Sequence, residues 1–393
     1  MTESNTLAPK EFYELVNLTG NPFRPNPVYG PDPRMNIWVG YEKQRNQLIK
    51  FLTRSRCDQI GNINFIMLYG DYGTGKSHAL LWACYQIMHA QKDDFNSVCY
   101  IIPTLRKDKG KFSFAAAFAD DLVAKATLKQ DILNYRQYLH TCMYRYRDAN
   151  NLGSTVSDEE ILDRLIPANE LQSLAKGIHR CEGLEQVEEL LLPRGLTDYQ
   201  ATTIFTNITN LFVLGYEIGG EVLRFKKAVY LMIDELDDLL RASAKEAREV
   251  NDVLRHIYDN CPSCFALVIA LSAEAATLPA IFMDYILGRI QRQILLEPLT
   301  KDGAMEFVKE ILKANRLKKD VKRSGYFPFD ESAIEAIVSQ LRQITPRKVI
   351  STMQQVLEEV RLCGYQPGTN TVDINFLDTN DILEEVLGDG GIA

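Results

Sequence analysis

Five short apolar runs, rich in β-branched and aromatic residues, punctuate a chain that otherwise reads mainly as helix. Runs of this length without alternation predict buried strands. They cover residues 63–70, 96–102 (closed by Pro103), 228–233, 264–272 and 293–296. The run at 228–233 is apolar throughout, as a strand buried on both faces requires. Between the strands the period changes. Residues 79–88 are apolar almost all round and predict a buried helix, and a second helix begins after Gly40 and runs to about 52. From about 111 to 227 the pattern is mostly helical, and Ser157/Glu160 and Thr197/Gln200 carry the spacing of capping boxes. Residues 300–362 read as helices, followed by a strand at 372–376 and a last helix at 378–387. Residues 1–35 read as loop, because prolines crowd 22–33. That segment is expected to lie extended over the next domain, docked by Phe23, Val28 and Tyr29.

The first strand leads directly into Gly70-Asp71-Tyr72-Gly73-Thr74-Gly75-Lys76-Ser77-His78 and then into a helix. This is the strand, glycine loop and helix of a phosphate-binding loop. The glycines allow backbone conformations that a Cβ forbids, so successive N–H groups can turn toward phosphate oxygens at the positive end of the helix. Residues 70–78 are therefore expected to line a nucleotide. Lys76 would reach the β- and γ-phosphates and the Ser77 hydroxyl would ligate Mg²⁺. The strand at 228–233 ends in Asp234-Glu235, which matches the Walker B pattern at the edge where open α/β sheets bind ligands. Asp234 is expected to hold Mg²⁺, and Glu235 to act as general base on the attacking water. Asp237 and Asp238 are expected to open the following helix, where anions suit the dipole.

The order of motifs carries a resemblance. Asn21-Pro22-Phe23, then Val39-Gly40-Tyr41-Glu42 opening a helix, then the P-loop, resembles AAA+ ATPases of the origin-recognition and archaeal replication-initiator group. The Gly-Lys-Ser-His loop, the helical insertion before Walker B and Pro346-Arg347 also resemble ATPases of bacterial phage-exclusion (BREX-type) systems, and ATPase regulators of transposition share much of this core. The resemblance implies a three-layer α/β AAA+ domain with a parallel five-stranded sheet, a large helical insertion and a C-terminal helical lid. It implies Mg-ATP as the nucleotide, Val39 and Gly40 beside the adenine, and Ser272 as the sensor 1 residue beside Walker B. It further implies Arg289 and Arg292 in the arginine-finger region before the last core strand, and Arg347 as sensor 2 on the lid. The expected boundaries are 1–35, 36–298 (insertion 111–227), 299–363 and 364–393. That group usually carries a winged-helix domain after the lid, and 364–393 is too short for one, which argues against an autonomous sequence-specific initiator.

Composition narrows the partners. A formal net charge of −8 and 24% charged residues exclude a protein that coats nucleic acid through bulk basicity, while leaving room for a local basic patch. Two such patches exist. Residues 135–147 interleave tyrosines with arginines, but Tyr135, Tyr138, Cys142 and Tyr146 fall on one helical stripe, as in an ordinary amphipathic helix. Residues 313–323 hold a basic cluster that reads as a solvated loop or a phosphate contact. The eight cysteines include one close pair, Cys261 and Cys264, with too few neighbouring ligands for zinc, so reduced cysteines are expected. The polar, acidic start is no signal peptide, and no apolar run is long enough to cross a bilayer. These features predict a cytoplasmic protein, and the resemblance implies a homo-oligomeric ATPase with a protein partner and DNA as a candidate ligand. The alternative is an ATP-dependent scaffold that assembles proteins without DNA.

Overall fold

The computed structural model describes residues 7–24, 33–89, 96–153, 155–368 and 370–388. Val28 and Tyr29, expected to dock, lie outside the described residues. The chain divides into two compact units, one of Met1–Arg45, Gly70–Trp82 and Leu296–Ala393, the other of Asn46–Tyr69 and Ala83–Leu295.

The second unit is built on a five-stranded parallel sheet, the α/β P-loop architecture expected from the AAA+ resemblance. Its strands are β1 (Asn64–Gly70), β2 (Val98–Ile102), β3 (Val229–Ile233), β4 (Phe265–Ser272) and β5 (Arg292–Leu295), in the order β2-β3-β4-β1-β5. Val98 sits opposite Val229, Val229 opposite Phe265, and Ile66 opposite Arg292. β3 is buried at every residue, which explains why its sequence shows no polar alternation. Arg292 is the first residue of β5, one position earlier than the apolar run suggested, because the parallel register with β1 extends to Ile66.

The insertion does not form a core of its own. Its helices Leu128–Ala149, Asp158–Leu165, Asn169–Arg180, Leu184–Leu191 and Asp198–Val213 pack into one apolar cluster with the sheet, where Tyr135, Leu139, Phe205 and Phe212 join Phe65, Tyr100, Leu231 and Leu267. Both capping boxes form, at Ser157/Glu160 and Thr197/Gln200. Two hairpins interrupt the helical pattern, Lys107–Asp108 with Lys111–Phe112, and Gly215–Ile218 with Glu221–Arg224. Each turns on residues with positive φ, Lys109-Gly110 and Gly219-Gly220.

The first unit is a helical lid. Lys301–Ala314, Glu331–Ser339 and Pro346–Leu362 surround a core of Val308, Ile311, Ile337, Val356 and Val360. The amino-terminal segment joins this core. Pro9–Leu15 is a helix with proline at its first position, and Phe12, Val16, Leu18 and Phe23 are buried in the lid cluster. The loop reading for this part is therefore incomplete. The expected strand at 372–376 is absent. Val372 makes a single bridge to Phe329, and the carboxyl group of Asp373 then accepts the Phe376 N–H at 2.8 Å and caps the helix Ile374–Thr379. Asp381, at φ 53°, separates that helix from Ile382–Leu387, so the last helix begins four residues later than expected.

Candidate nucleotide site

The P-loop takes the backbone its glycines permit. Gly70, Gly73 and Gly75 have φ of 142°, 82° and 95°. A Cβ on Gly70 would lie 2.2 Å from the Leu296 carbonyl oxygen, so no side chain fits there. Thr74 is buried and its hydroxyl donates to the Asp71 carbonyl at 2.8 Å, tying the turn across itself. The helix Lys76–His89 starts as Ala79 N–H reaches the Gly75 carbonyl at 2.9 Å. Lys76 is 7% exposed, and its Nζ donates to the carbonyls of Gly70 at 3.0 Å and Asp71 at 2.7 Å. Ser77 follows on the first helical turn, half-buried. A loop of positive-φ glycines ending in a buried lysine at a helix start suits a phosphate chain.

The same unit brings the segment before the first long helix to the P-loop helix. His78 Nε2 donates to the Ile37 carbonyl at 2.7 Å, and Trp38 meets Trp82 edge-on with ring centroids 4.6 Å apart. Val39 and Gly40 follow directly. Gly40 has φ 66°, and a Cβ there would stand 3.2 Å from Leu299 Cδ2. Tyr41 donates its hydroxyl to the Glu297 carbonyl, and burial pushes its phenol pKa up.

The lid approaches the loop through the start of the helix Pro346–Leu362. Thr345 caps that helix by accepting the Lys348 N–H at 3.3 Å, and Pro346 occupies the first position. Arg347 N–H donates to the Gly73 carbonyl at 3.2 Å, while its guanidinium lies 4.6 Å from the centre of the Tyr72 ring. Gln343 Nε2 donates to Asp71 Oδ2 at 2.8 Å. Sequence reasoning missed Gln343, since a lone glutamine before a Thr-Pro cap gives no signal.

In the sheet unit, Asp234 is 3% exposed at the carboxyl end of β3, and its N–H donates to the Ile102 carbonyl at 2.9 Å. Its Oδ1 accepts the Glu235 N–H at 2.9 Å. Glu235 is exposed in the left-handed region, φ 49° and ψ 49°. A 3-10 helix, Leu236–Arg241, follows with Asp237 and Asp238 in its first turn. Asp237 does more than complement the helix end: its carboxylate accepts the N–H of Ser272 at the end of β4 and so ties the Walker B turn to the adjacent strand. The buried Asp234 carboxylate is an oxygen donor of the kind that Mg²⁺ takes.

Arg289 forks onto Asp259, Nε to Oδ1 at 2.7 Å and Nη2 to Oδ2 at 2.8 Å, and Nη1 donates to the Tyr285 carbonyl at 2.7 Å. The hydrogen bonds from Arg289 hold the Asp259 carboxyl below its ordinary pKa, and the same bonds raise the arginine's. Arg292 opens β5 with its Nε buried and without a hydrogen-bond partner among the described residues. The aromatic and basic residues of 135–147 are mostly committed elsewhere. Tyr135 and Cys142 are buried, Arg136 Nε donates to the His179 carbonyl at 3.0 Å, and Arg147 donates to Gly153, Val156 and Asp158. All eight cysteines are free thiols, and no metal-binding cluster of His, Cys, Asp or Glu occurs among the described residues. No helix among them is long and apolar enough to cross a membrane.

No protein-family profile matches the chain, and no curated protein does. Among solved structures it is similar to the ORC2 protein of Aeropyrum pernix, with 12% identity, a TM-score of 0.48, and coverage of 94% of this chain and 71% of that one. It is also similar to the ORC1 protein of Aeropyrum pernix in complex with DNA, with 9% identity, a TM-score of 0.47, and coverage of 89% and 69%. For a Walker-type ATPase of Pyrococcus abyssi the values are 18%, 0.44, 84% and 71%. At these identities and scores the likeness carries no part of the functional assignment.

Proposed function

We propose that this chain is an AAA+ ATPase of origin-recognition-like type. It binds Mg-ATP through residues 70–78, hydrolyses it, and uses the nucleotide state to drive oligomeric assembly on or near DNA, in a replication, transposition or anti-phage role. The observation that carries the reading is the P-loop itself, with three positive-φ glycines and a buried lysine at a helix start, continuous with a core strand of the sheet that also bears Asp234-Glu235.

In this reading the loop N–H groups and Lys76 bind and orient the phosphates. Asp234 and Ser77 would hold Mg²⁺, which neutralises charge on the phosphate oxygens when bound. Glu235 takes the proton of the attacking water, and Ser272, fixed through Asp237, orients that water. Arg347 contacts the phosphates from the lid, and Val39 and Gly40 border the base. The second reading, a nucleotide-dependent scaffold for protein partners without DNA, gains from one observation. Arg136 and Arg147, which would have met phosphates, are bonded within the insertion.

Lys76→Ala tests the common premise: affinity for a fluorescent ATP analogue or turnover is expected to collapse with the fold intact, and parental values for both would sink the P-loop assignment. Duplex DNA separates the two readings. ATPase stimulation by DNA whose binding weakens steeply with salt supports the first, and indifference to DNA supports the scaffold.

A further inference from the structure

The phosphate-loop signature leaves the positions after Gly70 open, and this chain fills them with Asp71 and Tyr72. Both meet the lid. The Tyr72 side chain is 67% exposed, yet its ring is covered on one face by the Arg347 guanidinium at 4.6 Å. Asp71 accepts from Gln343 at 2.8 Å, and the Gly73 carbonyl accepts the Arg347 N–H at 3.2 Å. The backbones nearly touch here. A Cβ on Gly73 would lie 3.0 Å from Arg347 Cβ and 3.2 Å from Thr345 Oγ1. The field of its own helix would not place the guanidinium. Arg347 stands in the first turn of its helix, where the dipole repels cations, and that turn holds no acid. Something other than an ion pair must fix its direction, and the tyrosine face does so.

We propose that Tyr72 is a positioning residue for Arg347. Its ring holds the guanidinium over the phosphate loop, and the Asp71–Gln343 bond sets the register of the lid on that loop. The role rests on the nucleotide-binding reading above. A guanidinium already held over a ring has less freedom to lose when it bonds a phosphate.

The test is a double-mutant cycle in the full chain, read by titration with a fluorescent ATP analogue and by the KM and kcat of ATP hydrolysis. Tyr72→Ala is expected to weaken analogue binding and raise KM about two- to fivefold, the range of an exposed cation–π contact, with little change in melting temperature. Tyr72→Phe keeps the ring and is expected to restore most of that loss. Arg347→Ala should weaken binding at least as much as Tyr72→Ala, and the double variant no more than Arg347→Ala alone, because the ring then has nothing to orient. Losses that multiply, or Tyr72→Ala binding like the parent, overturn the positioning role. Lys76→Ala run alongside separates the causes: if it too both binds and hydrolyses ATP like the parent, the nucleotide reading itself has failed, and if it is defective in either, only the role of Tyr72 has.

Discussion

Glu235 is a glutamate where the backbone favours glycine. The left-handed region costs a residue with a Cβ about 1–3 kcal/mol, and such positions persist where the surrounding structure imposes them. Here the imposing contacts are visible: Asp234 Oδ1 takes the Glu235 N–H, and Asp237 anchors the turn to Ser272. The turn throws the Glu235 carboxylate outward while Asp234 stays buried one residue earlier, so neighbouring acids are given different surroundings. This division fits a metal-holding acid and a base that meets water. Glu235→Gln preserves the shape and removes the base. It is expected to bind ATP as the parent does and to hydrolyse it about 10²- to 10⁴-fold more slowly, measured as single-turnover phosphate release. Release at the parental rate would remove Glu235 from the chemistry.

Elements whose signals are local and strong were legible in the sequence. The strands ending at Gly70, Ile102, Ile233 and Ser272 follow from continuous apolar runs closed by a glycine, a proline, a pair of acids and a serine. The capping boxes follow from side chains bonding within one turn. What the sequence hid depends on partners distant along the chain. Pro9–Leu15 is too short to persist by propensity and owes its helix to the lid cluster that buries Phe12. Residues 372–376 have the composition of a strand, but Val372 pairs only with Phe329 and the Asp373 cap prevails. In the site, the glycine loop and the acids were readable, whereas the Gln343–Asp71 bond and the role of Asp237 depend on tertiary placement. Asp58 illustrates such a link with a measurable consequence. It joins Arg56, just past the helix Glu42–Arg54, to Lys227, just before β3. Hydrogen bonds, first from Arg56 and then from Lys227, bring its carboxyl down from 3.8 to about 2. A carboxyl lowered on folding contributes stability that is fully present above its unfolded value and is lost as pH falls through its folded one. The contribution of Asp58 is therefore expected to hold at pH 5 and to fade between about pH 4 and pH 2. Melting temperatures should converge for the parent and Asp58→Asn across that window and differ above it. A constant difference down to pH 2 would show that the carboxylate is not the cause.

For the whole molecule the open question is whether one chain holds a complete site. Arg289 is engaged by its own Asp259, and Arg292 begins an edge strand with a buried, unbonded Nε. As a hypothesis, these arginines act on a neighbouring subunit's nucleotide, an effect worth roughly 10³- to 10⁵-fold where arginines act in trans. ATP is then expected to promote a homo-oligomer, and turnover per subunit should rise with protein concentration. Arg289→Ala and Arg292→Ala should each bind ATP but hydrolyse it poorly, and mixing either with Glu235→Gln should restore part of the activity as some interfaces regain both groups. Turnover independent of concentration, with no recovery on mixing, would mean that each chain works alone. The division of the chain into units also sets an order in time. Asn46–Tyr69 and Ala83–Leu295 hold every strand of the central sheet through Leu295, interrupted only by the short stretch Gly70–Trp82. That stretch is the phosphate loop, and its companions in the unit include Gln343, Thr345 and Arg347. On a ribosome adding about 5–20 residues per second, roughly ten seconds to a minute separates the loop from the lid residues that clasp it. The last strand residue, Leu295, precedes Gln343 by 48 positions, so for only about 2–10 seconds of that interval does the growing chain carry every strand-forming residue of its sheet while its nucleotide loop is still uncovered.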